Sequence, residues 1–382
     1  MDIKYKIPFA LAILSVAMVG CSSNKVKVEK VKPNPLPKLV QATSLTEVFS
    51  HKVSASSEQD PLRLRLDVDN GVIFAMNPKG EVTAYKGKQR LWETKVTKQE
   101  LTSGVEAADG LVVVASRKGQ VFALDQQTGE QKWTAQLSGA VISPALIQTG
   151  RVILMANDGT VFALDEATGQ QAWTYKMANA AFSLRGQASP VSLDPRTIAV
   201  ASSNGYLYAI DSLTGAPRMQ RRVAVSDGRS DIQRLVDIDA EPVVVGQYVV
   251  TNSFQGQVTV LDLAAQRVAW SVDASSINRP EVAENKVFVA QRDGKLKAFD
   301  LATGQELWEN EQLLNRNLSN PVLLGQQLVV GDLDGVLHLI DPNTGTLVGR
   351  AKTSGEVRTL RVIDNQLFVA TRKGELSIWQ SR

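Results

Sequence analysis

The sequence predicts an all-β protein: an eight-bladed β-propeller of four-stranded antiparallel blades, its ring closed by an N-terminal strand. Three observations predict it. A Gly opens a short apolar run, an Asp follows six residues later, then a Thr-Gly turn, and often a Trp, as in Gly119-QVFALDQQTGEQK-Trp133, Gly159-TVFALDEATGQQA-Trp173 and Gly294-KLKAFDLATGQEL-Trp308. Weaker copies start at Gly80, Gly205, Gly256, Gly335 and Gly374, making eight at a period near forty residues, the signature of radially repeated sheets. An apolar, β-branched run precedes every copy, and the last copy reaches the C-terminus without its outer strand.

In chain order, Lys4 and Lys6 precede an apolar stretch from Ile7 to Val19 that ends in small residues. This describes a secretory signal over residues 1–20, too short and wrongly flanked for a spanning helix. Met18-Val19-Gly20-Cys21 resembles a bacterial lipobox, which implies that Cys21 becomes the lipidated first residue of the mature chain. By the same resemblance, Ser22 directs the protein to the outer membrane. A lone thiol in an oxidising compartment is a liability, and lipidation accounts for the only Cys in the chain. Residues 21–44 read as the lipidated Cys and a flexible tether, Lys-rich and Pro-rich without periodicity. At about 3.1 Å per residue such a tether reaches roughly 70 Å.

Residues 45–382 are expected to form the propeller. Leu45-TEVFSHK-Val53 alternates, and pairing it with the last copy completes that blade and removes an exposed edge. The runs VIFAM at Val72, LVVVAS at Leu111, RVILMA at Arg151 and their equivalents read as buried strands, called B. Turns such as Asn204-Gly205 and Asp334-Gly335 lead into strand C, where Gly or Asn closes a tight hairpin. Strand C is apolar on both faces, so neighbouring blades must cover both sides. Asp125, Asp165, Asp211, Asp300 and Asp341 suit capping of turn amides, and Trp133, Trp173, Trp270 and Trp308 suit packing between blades.

Intervals between motif glycines are 39, 40, 46, 51, 38, 41 and 39, so the excess falls between Gly159 and Gly256. Two adjacent connections, each from an outermost strand to the next innermost one, are therefore enlarged on one face. Insertions in repeat proteins map to binding faces. The first connection contains Phe182, Leu184 and Arg185; the second contains Asp237 and Asp239. Arg185 lies five residues before Pro190 and Asp237 five before Pro242, equivalent stations one blade apart. Spacing leaves two roles open: an internal brace, or an apolar and charged patch for a partner. An exposed ion pair adds little stability, which favours recognition.

With 42 basic and 39 acidic residues, well mixed, and a formal charge of +3, nothing suggests a nucleic-acid surface. No compact acidic loop offers converging oxygens for a hard cation, and His51 and His338 sit where a structural or surface role is expected. No catalytic residue, metal or cofactor is expected.

The lipobox, eight quinoprotein-type repeats, SLRG in one enlarged loop and D-I-D-x-x-P-V-V-V in the next together resemble the BamB family, the lipoprotein propellers of the bacterial outer-membrane β-barrel assembly machinery. The resemblance implies a non-enzymatic scaffold in the periplasm, lipid-anchored to the outer membrane. It implies docking on the POTRA domains of BamA through Leu184, Arg185, Asp237 and Asp239, with Phe182 where relatives often have Leu. Unfolded outer-membrane protein clients are a further implied partner. Two other readings share the ring. A quinone-dependent dehydrogenase would, by resemblance, use an adjacent Cys pair, which one Cys cannot supply. A tethered sensor or adhesion propeller would lack the two loop signatures.

Overall fold

Thirty-two strands and no helix make up the described residues of the computed structural model, which are 31–52, 66–178, 188–225, 238, 240–253 and 256–382. The strands form eight four-stranded antiparallel sheets, each a blade with strands A to D from the centre outwards. In blade 2 these are Glu106–Ala108, Leu111–Ala115, Gln120–Asp125 and Gln131–Gln136.

A single blade cannot cover itself, because its central strands are apolar on both faces. Alternate residues of strand B therefore serve different neighbours. Val112 and Val114 pack with Phe74 and Met76 of blade 1, whereas Val113 and Ala115 pack with Val152 and Leu154 of blade 3. The core is accordingly distributed as clusters between blades, which is why a ring is needed to cover the last open face.

Blade 8 closes that ring. Its strands A to C are Val357–Ile363, Gln366–Thr371 and Glu375–Ser381, and its outer strand is the N-terminal segment Leu45–Lys52. The register runs from Leu45 opposite Ser381 to Lys52 opposite Glu375, with a bulge between Glu47 and Phe49. Phe49 is buried with Phe368 and Ile378 of its own blade and Ile73 and Tyr85 of blade 1, so the closing strand also seals the final interface. This is the pairing the alternating sequence called for; Val53 lies outside the described residues.

The recurring Asp holds the C–D turn. Asp125 Oδ1 accepts the amides of Gln127 (3.0 Å) and Thr128 (2.9 Å), and Asp165, Asp211 and Asp300 bind their turn amides in the same way. Each turn is then capped by the preceding blade. Trp133 donates Nε1–H to the carbonyl of Glu166 at 2.8 Å, and Trp173, Trp270 and Trp308 reach Ser212, Leu301 and Pro342 at 3.0, 2.8 and 3.0 Å. Trp92 does the same to Gln126 at 3.1 Å, a fifth anchor that the weak first copy concealed. Blade 4 carries Met219 at this station, and the blade 5 turn it faces, Leu263-Ala264-Ala265-Gln266, has no Gly to make room for an indole.

The body begins earlier than the tether boundary at residue 44 suggested. The amide of Asn34 donates to the carbonyl of Leu314 (3.0 Å), Arg350 Nη1 donates to that of Pro37 (2.9 Å), and the Ala42 amide donates to that of Val348 (2.9 Å). Leu39 packs on the cluster between blades 6 and 7. The segment shows no sequence periodicity because its bonds go to side chains and carbonyls of blades 6 and 7 rather than to a regular ladder partner.

Candidate functional site

The two enlarged connections start as ordinary ones. Strand D of blade 3 (Gln171–Lys176) is followed by Met177, whose amide donates to the carbonyl of Gly159 at 3.0 Å; strand D of blade 4 (Pro217–Arg222) is followed by Val223, whose amide donates to that of Gly205 at 2.9 Å. The same bond occurs at Leu137 to Gly119 and at Thr353 to Gly335. It holds these four connections to the face that carries the B–C turns.

The return legs are fixed too. Ala188 and Ser189 precede strand A of blade 4 (Val191–Asp194), and Ile238 and Ala240 precede strand A of blade 5 (Val243–Val245); all four are buried. Ala188, Val223, Ala224 and Ile238 share one apolar cluster with Met219 and Leu261. The return leg of the first connection and both legs of the second thus meet in a single interface between blades 4 and 5. Phe182, Leu184, Arg185, Asp237 and Asp239 lie outside the described residues, as does Cys21.

A charged cluster that no local sequence motif marks sits at the centre of the ring. Asp67, Glu106, Glu281 and Arg361 occupy one equivalent station, opposite Phe74, Val113, Phe288 and Phe368 on strands B of blades 1, 2, 6 and 8. The other four blades place Leu146, Val191, Val243 and Val322 there. Aligning the short A strands by their distance from strand B would have exposed this. Arg361 lies 3.4 Å from Asp67 and 3.9 Å from Glu241, while Arg279 lies 3.3 Å from Glu241 and 3.6 Å from Glu281. Blades 1, 5, 6 and 8 are thereby tied across the centre, beside a cavity of about 290 Å³ lined by Glu241, Arg279, Glu281 and Arg361.

Burial, reinforced by the Asp67 charge, pushes the Glu106 carboxyl up to about 8, so it is protonated through the neutral range. Burial likewise raises Asp67 and Glu281 above the ordinary carboxylate range. These groups answer one another rather than converging on an ion, and among the described residues no group of His, Cys, Asp and Glu is disposed to hold a metal.

The two histidines divide. His51, on the closing strand, lies with its ring 4.8 Å from that of Tyr85. His338, on strand C of blade 7, is fully buried with Nε2 2.9 Å from Asp332 Oδ2, which also takes Nε of the buried Arg316 at 2.7 Å. Burial lowers the His338 pKa despite Asp332, so the imidazole is neutral and Arg316 supplies the counter-charge.

The comparisons with known proteins agree with this geometry. The family described as "Outer membrane protein assembly factor BamB" matches residues 78–310 and 292–381. The relative of that name from Salmonella typhimurium is 33% identical over 377 residues, covering 95% of this chain and 96% of its own. The crystal structure of BamB from Moraxella catarrhalis superposes with a TM-score of 0.82 at 34% identity, over 88% of this chain and all of that one. The quinohemoprotein alcohol dehydrogenase of Comamonas testosteroni, with a TM-score of 0.68 at 13% identity over 88% of this chain and 76% of its own, shares the fold alone. On sequence over nearly its whole length and on blade architecture, this chain belongs to the BamB family of outer membrane protein assembly factors.

Proposed function

We propose that this chain is a non-enzymatic scaffold lipoprotein that assists folding and insertion of outer-membrane β-barrel proteins, lying in the periplasm and anchored to the outer membrane through Cys21. It docks on the POTRA domains of BamA through Leu184, Arg185, Asp237 and Asp239, with Phe182 alongside. The observation that carries this reading is the shared root of the two enlarged connections: Ala188 at the end of one and Ile238 within the other are buried in one cluster, on one face of a family member whose relatives are named as assembly factors. A rigid ring presenting two adjacent enlarged loops suits binding of a folded partner. Unfolded clients are a second candidate partner, met through exposed outer strands of the blades.

Calorimetric titration of the purified propeller with BamA POTRA domains tests the docking. Arg185→Ala and Asp239→Ala should each weaken binding by about tenfold or more, as expected for interface anchors. Undiminished binding in both would remove the site, and no binding by the unaltered protein would remove the partner. Radiolabelled palmitate incorporation that persists in Cys21→Ser would remove the anchor.

A further inference from the structure

The path of residues 34–43 decides from which side of the ring the N-terminal leash departs. The Asn34 amide donates to the carbonyl of Leu314, and Arg316 Nη1 donates to the carbonyl of Asn34 at 2.8 Å; both partners lie in the connection between blades 6 and 7, beside the B–C turn of blade 7. At the other end, Thr43 accepts Gln327 Nε2 at 2.5 Å where strand B of blade 7 begins, and Ser44 accepts the Arg382 amide at 3.0 Å. The segment therefore descends the outside of blade 7 from the face of the B–C turns to the opposite face. The closing strand then climbs back. Asn34 is thereby held at the face of the B–C turns.

That face also differs in charge. Its B–C turns expose Lys79, Arg117, Lys118, Arg292, Arg372 and Lys373 against Asp158, Asp293 and Asp334, while the turns of the opposite face expose Asp109, Glu130, Asp194, Glu284 and Asp364 against Lys88 and Arg196. Arg117 and Arg372 are paired with Glu100 and Glu356, and Asp158 and Asp334 on the same side are paired with Lys176 and Arg316, which leaves the contrast in place. The leash itself carries Lys25, Lys27, Lys30 and Lys32 against one acid, Glu29. Basic residues next to a lipid anchor are drawn to anionic headgroups within about a Debye length.

We propose that the face bearing the B–C turns is the side this protein presents to an anionic lipid surface, with residues 34–43 acting as a strap that delivers the leash to that face. The strap also shortens the leash: only residues 22–32 are left to span the gap, about 35 Å at full extension. The roots of the enlarged connections at Met177 and Val223 lie on this same face, so a partner docked there is held between the ring and the membrane. The inference rests on Cys21 as the anchor point.

Chemical attachment separates the two claims. The mature chain is coupled through its single Cys to a maleimide-bearing phospholipid in vesicles containing phosphatidylglycerol, and amine acetylation is read by mass spectrometry against the free protein. Lys79 and Lys118 sit on the B–C turns of blades 1 and 2, while Lys88 and Lys132 belong to the opposite face of the same two blades, and all four are exposed in the free body. Lys79 and Lys118 should lose reactivity by about threefold or more with Lys88 and Lys132 unchanged, an asymmetry reduced in about 0.5 M salt or in vesicles without anionic lipid. Equal protection of both pairs, or protection of Lys88 and Lys132 alone, overturns the proposal. The double variant Leu39→Asp, Arg350→Ala should abolish the asymmetry while circular dichroism stays that of a closed ring; retention of the full asymmetry removes the strap's role. Should that variant not fold, insensitivity of the unaltered protein to headgroup charge still overturns the proposal. Failure of Cys21 to be acylated in cells would sink the anchor reading and leave this footprint untouched.

Discussion

Trp133 lies directly over Gly169: a Cβ built on that glycine would fall 2.6 Å from the indole ring, and its φ of +72° lies in the left-handed region. The Gly of the recurring Thr-Gly turn is therefore half of an interlock whose other half is the Trp of the preceding blade. Two constraints act on one residue, steric and conformational. Gly169→Ala should cost more than the ~1 kcal/mol of the backbone effect alone, because the ring must also move. Trp133→Ala should cost ~3–5 kcal/mol, the range for deleting a buried aromatic. Urea titration of both variants and of the double variant checks this, and full additivity would refute the interlock.

Ring closure depends on a strand far in sequence from its partner. Replacing Leu45 and Phe49, both buried, by Asp places charges inside the last two interfaces. The expected result is an open ring with blade 8 exposed: faster limited proteolysis near Trp379 and association through the unpaired edge of strand C, seen by size-exclusion chromatography. The same two substitutions made at the exposed Val48 and Lys52 should leave both readouts unchanged.

Burial raises the folded-state pKa of Glu106 to about 8 from an ordinary value of 4.5. The folded state then binds more protons than the unfolded chain between those values, so this group's contribution to stability is complete below about 4.5 and is lost as pH rises through about 8. Denaturation midpoints of the unaltered protein should fall across that interval. Glu106→Gln, which keeps the shape and removes the titration, should flatten the decline. An unchanged slope in the variant would show that another group is responsible.

Arg316 and Asp332 are buried at 3% and 0% exposure, 2.7 Å apart. Arg316→Met leaves a carboxylate without its counter-charge in blade 7 and should cost ~3–5 kcal/mol. Adding Asp332→Leu and His338→Leu should recover much of that loss, since an apolar replacement of a buried ionic group is tolerated better than half of it. Thermal unfolding of the single and triple variants decides, and a triple variant no more stable than the single one would contradict the assignment. Asn34 also loses its bond from Arg316, so the single variant should show faster amide exchange over residues 34–43.

The repeat made the propeller legible. Local periodicity, turn residues and a missing outer strand are properties of neighbouring residues, and each has one geometric solution once the copies are placed side by side. The Asp turns, four of the Trp anchors and the closing strand could be named for the same reason. Trp92 escaped because its hairpin turns at Gly87-Lys88 and has no Asp or Thr-Gly to mark it. Of the enlarged loops, spacing located the positions and the shared face, while the common root of Ala188, Val223 and Ile238 appeared only in three dimensions.

What the sequence determined by itself was the blade, its number and the way the ring ends meet, because these follow from patterns repeated every forty residues or so. Only the tertiary structure decided what faces what across the ring. Asp67, Glu241 and Arg361 come together from blades 1, 5 and 8, and Asn34 meets Arg316 over 282 positions, since the circle brings remote segments into contact and no local period records those encounters. Burial then sets the charge of Glu106 and His338, which depends on how much water the assembled ring excludes and not on which residues flank them.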